Sequence, residues 1–425
     1  MNSLTRIKLS FMMFLEFFIW GAWFVTLGTF LALNLKASQL ETASVFSTQS
    51  FGAIIAPFII GLIADKYFNA ERILGILHLI GAFLMYQMYN ADDVSTFYPY
   101  VFAYMVAYMP TLALVNSVSF RQMTNPEKEF SVIRVWGTIG WIVAGLSISY
   151  LFHWDSTENI QQGLLRNTFM MAGIASLILG IYSFMLPKTP PVKQQDKNNS
   201  IADILGLDAI GLLKSKDFLI FFIASILICI PLAFYYQNAN PFLTDIGLDN
   251  PTGKMTIGQI SEVLFLLLLP VFFSKYGFKK TILVGMLAWA VRYVLFAYGN
   301  AGELSFMLIT GIALHGICYD FFFVSGQIYT DARAGEKYKS SAQGLVTLAT
   351  YGVGMLIGFW VAGFISAYYA GSENTWQQVW LVPAGIAGVV ALLFMLFFKD
   401  KANTVQPTAP LAQEHDKNAA ITSLP

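Results

Sequence analysis

Long apolar runs recur along the chain, separated by short stretches of polar residues, Gly and Pro. A helix that crosses a bilayer needs about 20 predominantly apolar residues. Twelve runs answer to that: 8–34, 44–64, 73–90, 97–119, 132–152, 168–187, 217–243, 256–274, 280–299, 304–329, 341–369 and 375–398. The pattern predicts an all-α polytopic membrane protein with twelve transmembrane helices. Arg6 and Lys8 give the first run some likeness to a secretion signal. It is too long for one, contains Glu16 and has no convincing cleavage site before the second run, so it is expected to remain as a helix.

The longest polar interruption, about 188–216, lies midway along the chain. Pro187, Pro190 and Pro191 stop the sixth run around Lys188, and Lys193 to Ser200 is polar throughout. The expected organisation is a six-helix half at 1–187, a linker at 188–216, a second six-helix half at 217–398 and a polar, disordered tail at 399–425. Short internal matches support duplication. Ala64-Asp65-Lys66-Tyr67-Phe68 before the third run aligns with Phe273-Ser274-Lys275-Tyr276-Gly277 before the ninth, and Phe30-Leu31 with Phe242-Leu243.

Charge sharpens this picture. Only 12% of residues are charged, about half the usual quarter, against 56% hydrophobic, too little to cover a soluble surface. Lys plus Arg equals Asp plus Glu at 25 each, so there is no basic bias of the kind nucleic-acid partners select. The neutrality conceals an asymmetry. With the N-terminus inside, 20 of the 25 basic residues fall in cytoplasmic loops and termini, and Lys36, Arg166 and Lys254 alone fall outside. The positive-inside rule then puts both termini in the cytoplasm. Cys229 and Cys318 sit in apolar runs and read as buried thiols.

Several segments carry a family likeness: Gly61-Leu-Ile-Ala-Asp65-Lys66, Trp20-Gly21-Ala22-Trp23, Ala107-Tyr108-Met109-Pro110-Thr111-Leu112, Ile133-Arg134-Val135-Trp136-Gly137-Thr138-Ile139-Gly140, Leu205-Gly206-Leu207-Asp208-Ala209, Gln259-Ile260-Ser261-Glu262 and Tyr319-Asp320-Phe321-Phe322. The first resembles a reduced form of the major facilitator superfamily signature. Together, spread from about residue 8 to 398, they resemble the nucleoside:proton symporter family of bacterial nucleoside permeases. The resemblance implies a proton-coupled nucleoside importer of the bacterial inner membrane, working by alternating access. It implies no cofactor and no metal. Nucleoside, protons and membrane lipid are the expected partners, and the monomer the expected functional unit. The alternative is the same fold moving a sugar or another nucleoside-related polyhydroxylated solute.

Charge within a bilayer costs several kcal/mol and marks candidate sites. Arg134, Thr138 and Trp141 are spaced i, i+4, i+7 on one face of the fifth helix, a cation, a hydroxyl and an indole in one stripe. Their alternative is a helix-end marker; the resemblance places this motif in the central cavity. Gln259 and Glu262 share a face of the eighth helix and suit vicinal sugar hydroxyls, or else form an interhelical clamp. On the tenth helix His315 and Tyr319 share a stripe, with Asp320 offset by about 100°. Tyr319 is placed to stack a base, and Asp320 to carry a proton or to pair with Arg292. The family usually has an aromatic where His315 stands, so His315 is open between ligand contact, second proton site and packing.

Glu16 is a further proton-site candidate, in a stripe with Trp20 and Trp23 that serves either as ligand wall or as packing. His78 has no polar neighbour at helical spacing and reads as packing. In the seventh run, Pro231 and Pro241 are expected to break or kink the helix, leaving Tyr236, Gln237 and Asn240 as ligand candidates. The resemblance implies amides on this helix, yet at the best-matching positions the chain has Ala233 and Tyr236. No HExxH, GxSxG or CxxC motif occurs, and Gly253-Lys254-Met255 is an incomplete Walker end, so neither an intramembrane enzyme nor an ATP-driven pump is indicated.

Overall fold

The computed structural model describes residues 1–59, 68–124, 126–190 and 207–399. The Gly61–Lys66 motif, most of the central linker and the tail beyond Lys399 lie outside them. The described chain is helical, and ten of its helical stretches are long and apolar enough to cross a membrane.

The N-terminal helices are α1 (Ser3–Trp23), α2 (Gln39–Ile59), α3 (Ala70–Tyr89), α4 (Val94–Gln122), α5 (Pro126–Leu146) and α6 (Asn167–Ser183). The C-terminal set is α7 (Lys216–Asp245), α8 (Pro251–Tyr298), α9 (Ser305–Ala313), α10 (Ser325–Thr347), α11 (Met355–Tyr369) and α12 (Thr375–Phe397). Between α9 and α10 the helical path continues through His315–Tyr319 and a wide turn, Asp320–Val324; a second wide turn, Leu348–Gly354, joins α10 to α11. Such turns skip one step of the α-helical hydrogen-bond ladder and recur at functional sites.

The predicted eighth and ninth runs share α8. They part at Gly277, whose φ of 73° reverses the chain at a value that a Cβ would disfavour. The prolines of the seventh run do not break it. α7 is continuous from Lys216 to Asp245, and the Tyr293 hydroxyl donates to the Pro231 carbonyl at 2.5 Å. Both cysteines are buried free thiols.

Within the first set α1 packs along α5, α3 along α6 and α2 along α4. The two sets meet where α2 lies against α11 and α5 against α8, and where the helical turn Leu27–Thr29 beyond α1 crosses α7. Polar contacts tie them together at one end. Thr29 Oγ1 donates to Asn240 Oδ1 at 2.6 Å, and Asn240 Nδ2 donates to Thr252 Oγ1 at 3.1 Å. Both ends of the Asn240 amide are therefore engaged in hydrogen bonds between helices. Asp155, from the loop after α5, accepts from the Thr252 backbone N–H at 3.1 Å, and Ser149 Oγ accepts from the Gly253 N–H at 2.7 Å. Two of the free N–H groups at the start of α8 are thus satisfied by side chains of the other half.

Candidate functional site

Between the halves lies a cavity whose empty space, counting its open mouth, is about 630 Å³. Its walls come from five membrane helices and the wide turn before α11. α1 supplies Phe17, Trp20 and Phe24; α5 supplies Arg134, Thr138 and Trp141. Facing them are Tyr236 of α7, Gln259 and Glu262 of α8, His315 and Tyr319, and Tyr351. At the end toward the polar clamp, Phe24 and Tyr236 meet edge-to-face across the halves with ring centroids 5.8 Å apart.

Aromatic side chains line both sides of the cavity. The Trp20 ring lies 5.6 Å from Trp141, and the Tyr319 and Tyr351 hydroxyls hydrogen-bond at 2.8 Å. Arg134 holds its guanidinium over the Phe17 ring at 4.1 Å, a cation–π contact that leaves its N–H edge for other partners. Opposite, α8 is pinned to the His315 segment by backbone approach. A Cβ on Gly316 would lie 2.5 Å from the Ser261 backbone, and the Gly316 N–H donates to Ser261 Oγ at 2.9 Å. That contact fixes the register which places Gln259 and Glu262 beside His315 and Tyr319. His315 Nε2 lies 3.9 Å from Glu262 Oε2, and its Nδ1 lies 3.1 Å from Arg292 Nη1.

Three expected site residues stand elsewhere. Gln237 is fully buried off the cavity wall, because one step along a helix turns a side chain by about 100° away from Tyr236. Asp320 is buried behind the wall at 1% exposure; its Oδ2 has no hydrogen-bond partner among the described residues. The expected alternative pairing of Asp320 with Arg292 is not formed, since Arg292 faces His315 and stacks over Tyr235 at 3.6 Å. Glu16 points away from the cavity into the first half, where Oε2 meets His78 Nε2 at 2.8 Å and Oε1 meets Thr111 Oγ1 at 2.6 Å. His78, expected to be mere packing, is thus half of a buried pair whose partners come from other helices. Of the tryptophan stripe, Trp20 lines the cavity, whereas Trp23 packs on Tyr104 and Phe169.

Phe17, Phe24 and Tyr351 are cavity residues that sequence patterning does not single out. An aromatic ring in an apolar helix offers no contrast with its neighbours; the one available signal for Tyr351 is its setting, Thr350-Tyr351-Gly352-Val353-Gly354, polar and glycine-rich within an apolar run.

The sequence profile of the nucleoside H+ symporter family matches residues 3–403. The chain belongs to the nucleoside H+ symporter family. Membership makes the chain a proton-coupled nucleoside transporter of the major facilitator type. Curated relatives agree. The chain is 40% identical to the putative nucleoside transporter YegT of Escherichia coli K12, over 94% of this chain and 95% of that protein. It is 33% identical to the xanthosine permease of the same organism, over 92% of this chain and 95% of that one. The crystal structure of the nucleoside transporter NupG superposes with a TM-score of 0.83 at 32% identity, covering 94% of this chain and all of that one.

Proposed function

We propose that this member of the family imports nucleosides into a bacterial cell across the inner membrane, with twelve crossings and both termini cytoplasmic, and works as a monomer. The observation that carries the reading is the division of the cavity into two chemistries. Trp20, Trp141, Tyr236 and Tyr319 offer flat apolar surface for a base. Gln259 and Glu262 offer an amide and a carboxylate to ribose hydroxyls, with Arg134 and Thr138 across from them. A nucleoside is one flat aromatic ring joined to one polyhydroxylated ring.

Proton coupling is assigned to Glu262 on the wall and Asp320 behind it. Among the described residues neither has a Lys or Arg within ion-pair distance, so neither charge is pinned by a permanent cation. Glu16, enclosed with His78, is assigned to holding the first half together rather than to coupling. Carrying a proton with a neutral solute draws on the membrane potential, about 2.3 kcal/mol per charge per 100 mV. The halves then rock about the cavity, and with both termini cytoplasmic the end tied by Thr29, Asn240, Asp155 and Thr252 is assigned to the outer side.

Uptake of labelled uridine and adenosine into proteoliposomes tests the reading. An imposed inward proton gradient should raise accumulation several-fold over the no-gradient control. Absence of gradient-stimulated uptake for every nucleoside tested rules it out.

A further inference from the structure

Arg292 is fully buried in α8, yet among the described residues no carboxylate lies within 4 Å of it. Its guanidinium instead stacks over the Tyr235 ring at 3.6 Å and sets Nη1 3.1 Å from His315 Nδ1. The stacking is coherent on both sides, for the His315 ring itself lies along Tyr235 with centroids 5.5 Å apart and planes 26° from parallel. His315 thus has one ring nitrogen facing a buried cation and the other facing the cavity beside Glu262.

This geometry determines a proton position. A guanidinium has five N–H donors and no acceptor. A hydrogen bond between Arg292 and His315 therefore requires Nδ1 to be the acceptor, bare of hydrogen. A neutral imidazole with a bare Nδ1 carries its proton on Nε2. An imidazolium would turn an N–H toward an N–H and set two cations side by side in the membrane interior, with the arginine uncompensated. The groups that face the ring are Arg292 and Glu262 from α8, Tyr235 from α7 and Tyr319 from its own segment. Of these, Glu262 alone is acidic, and at 3.9 Å it is beyond hydrogen-bonding reach of Nε2.

We propose that Arg292 is a positioning residue that locks His315 as a neutral imidazole with its Nε2–H aimed into the cavity, making His315 a specificity-determining donor for an acceptor atom of the transported solute. Of the three roles open to His315, this selects the ligand contact and removes the second proton site. Beside the carboxylate of Glu262 the cavity then presents a donor and an acceptor side by side. They match a solute edge that carries an acceptor next to a donor, as the hydrogen-bonding edges of nucleobases and vicinal hydroxyls both do. The proposal rests on reading the cavity as the solute site.

The tautomer is directly observable. The chain has four histidines, so protein labelled with ¹⁵N-histidine in lipid bilayers gives few signals, and the His315→Gln spectrum identifies the one that disappears. The expected result is a bare Nδ1 and a protonated Nε2, unchanged across the range in which a free imidazole titrates. An imidazolium signal within that range, or a protonated Nδ1, overturns the proposal without bearing on whether nucleosides bind. Affinity supplies the second readout. His315→Phe is expected to weaken nucleoside binding about tenfold, the loss of one hydrogen bond. Arg292→Met, which has no donor, should weaken it in the native background and have little further effect in His315→Phe, whereas Arg292→Lys, which keeps a cationic donor, should restore part of it. Additive losses show that Arg292 does not act through His315. Failure of every nucleoside to bind the native protein sinks the solute reading and leaves the tautomer result standing.

Discussion

Glu16 Oε2 and His78 Nε2 lie 2.8 Å apart inside the first half, where neither side chain reaches more than 1% exposure. Their surroundings restrict the proton between them. Ser176 Oγ donates to the His78 carbonyl at 2.9 Å, so it accepts from His78 Nδ1–H at 3.1 Å. With Nδ1 protonated, the contact from Nε2 to Oε2 holds one shared proton, whether as an ion pair or as a neutral acid and base. Removing one partner strands a buried polar group. Glu16→Leu or His78→Leu should each destabilise the protein by about 3–5 kcal/mol, while the double substitution recovers much of that loss. Thermal unfolding of purified protein measures it; a double variant as unstable as the sum of the singles would show that the two residues do not act as a pair.

On the cavity wall, Glu262→Gln keeps the shape and removes the charge. If Glu262 accepts from ribose hydroxyls, the native protein should prefer ribonucleosides to 2′- and 3′-deoxy analogues, and the variant should lose about 1–3 kcal/mol of that preference for one of the two positions. Competition against labelled uridine reads this out. Unchanged ratios would assign Glu262 to coupling alone.

The spans were legible because the bilayer imposes length and apolarity on every one of them, and the stripes Arg134–Thr138–Trp141 and Gln259–Glu262 because a helix repeats every 3.6 residues. What stayed hidden depends on contacts between helices. His78 meets Glu16 across 62 residues of chain and Ser176 across 98, so inspection of its own helix could not reveal a partner. Tyr236 and Gln237 are adjacent in sequence and equally plausible as ligands, and the rotation of α7 against its neighbours decides between them. Sequence offers Arg292 as one alternative partner for Asp320; Tyr235 and His315, on two other stretches of chain, hold it instead.

Asp320 sits one residue past the cavity-lining Tyr319, at the start of the wide turn Asp320–Val324, with no cation to hold its charge among the described residues. A proton carrier at this position is needed for gradient-driven accumulation but not for passive exchange of solute across the membrane. Asp320→Asn should therefore abolish accumulation under a proton gradient while counterflow of labelled against unlabelled nucleoside stays within about twofold of native. Residual uphill transport by the variant would leave the coupling role to Glu262 alone.

Asp155 and Ser149 occupy the positions at which a helix N-cap accepts, yet the helix they serve belongs to the opposite half. The N–H groups of Thr252 and Gly253, at the start of α8, find their acceptors only while the halves are closed at this end. Loss of a cap costs about 1 kcal/mol, roughly a fivefold change in population, and the carboxylate adds a favourable interaction with the helix N-terminus. Asp155→Ala should therefore shift the protein toward a state open at this end. Spin labels on the exposed residues Leu33, in the wide turn Phe30–Asn34 beyond α1, and Asp249, in the loop between α7 and α8, report the separation directly, because both native thiols are buried. The expected change is growth of a longer-distance population in the Asp155→Ala protein without nucleoside. The same distance distribution in both proteins would mean that the aromatic contact of Phe24 with Tyr236 and the Thr29–Asn240 bond hold this end closed without help from the cap.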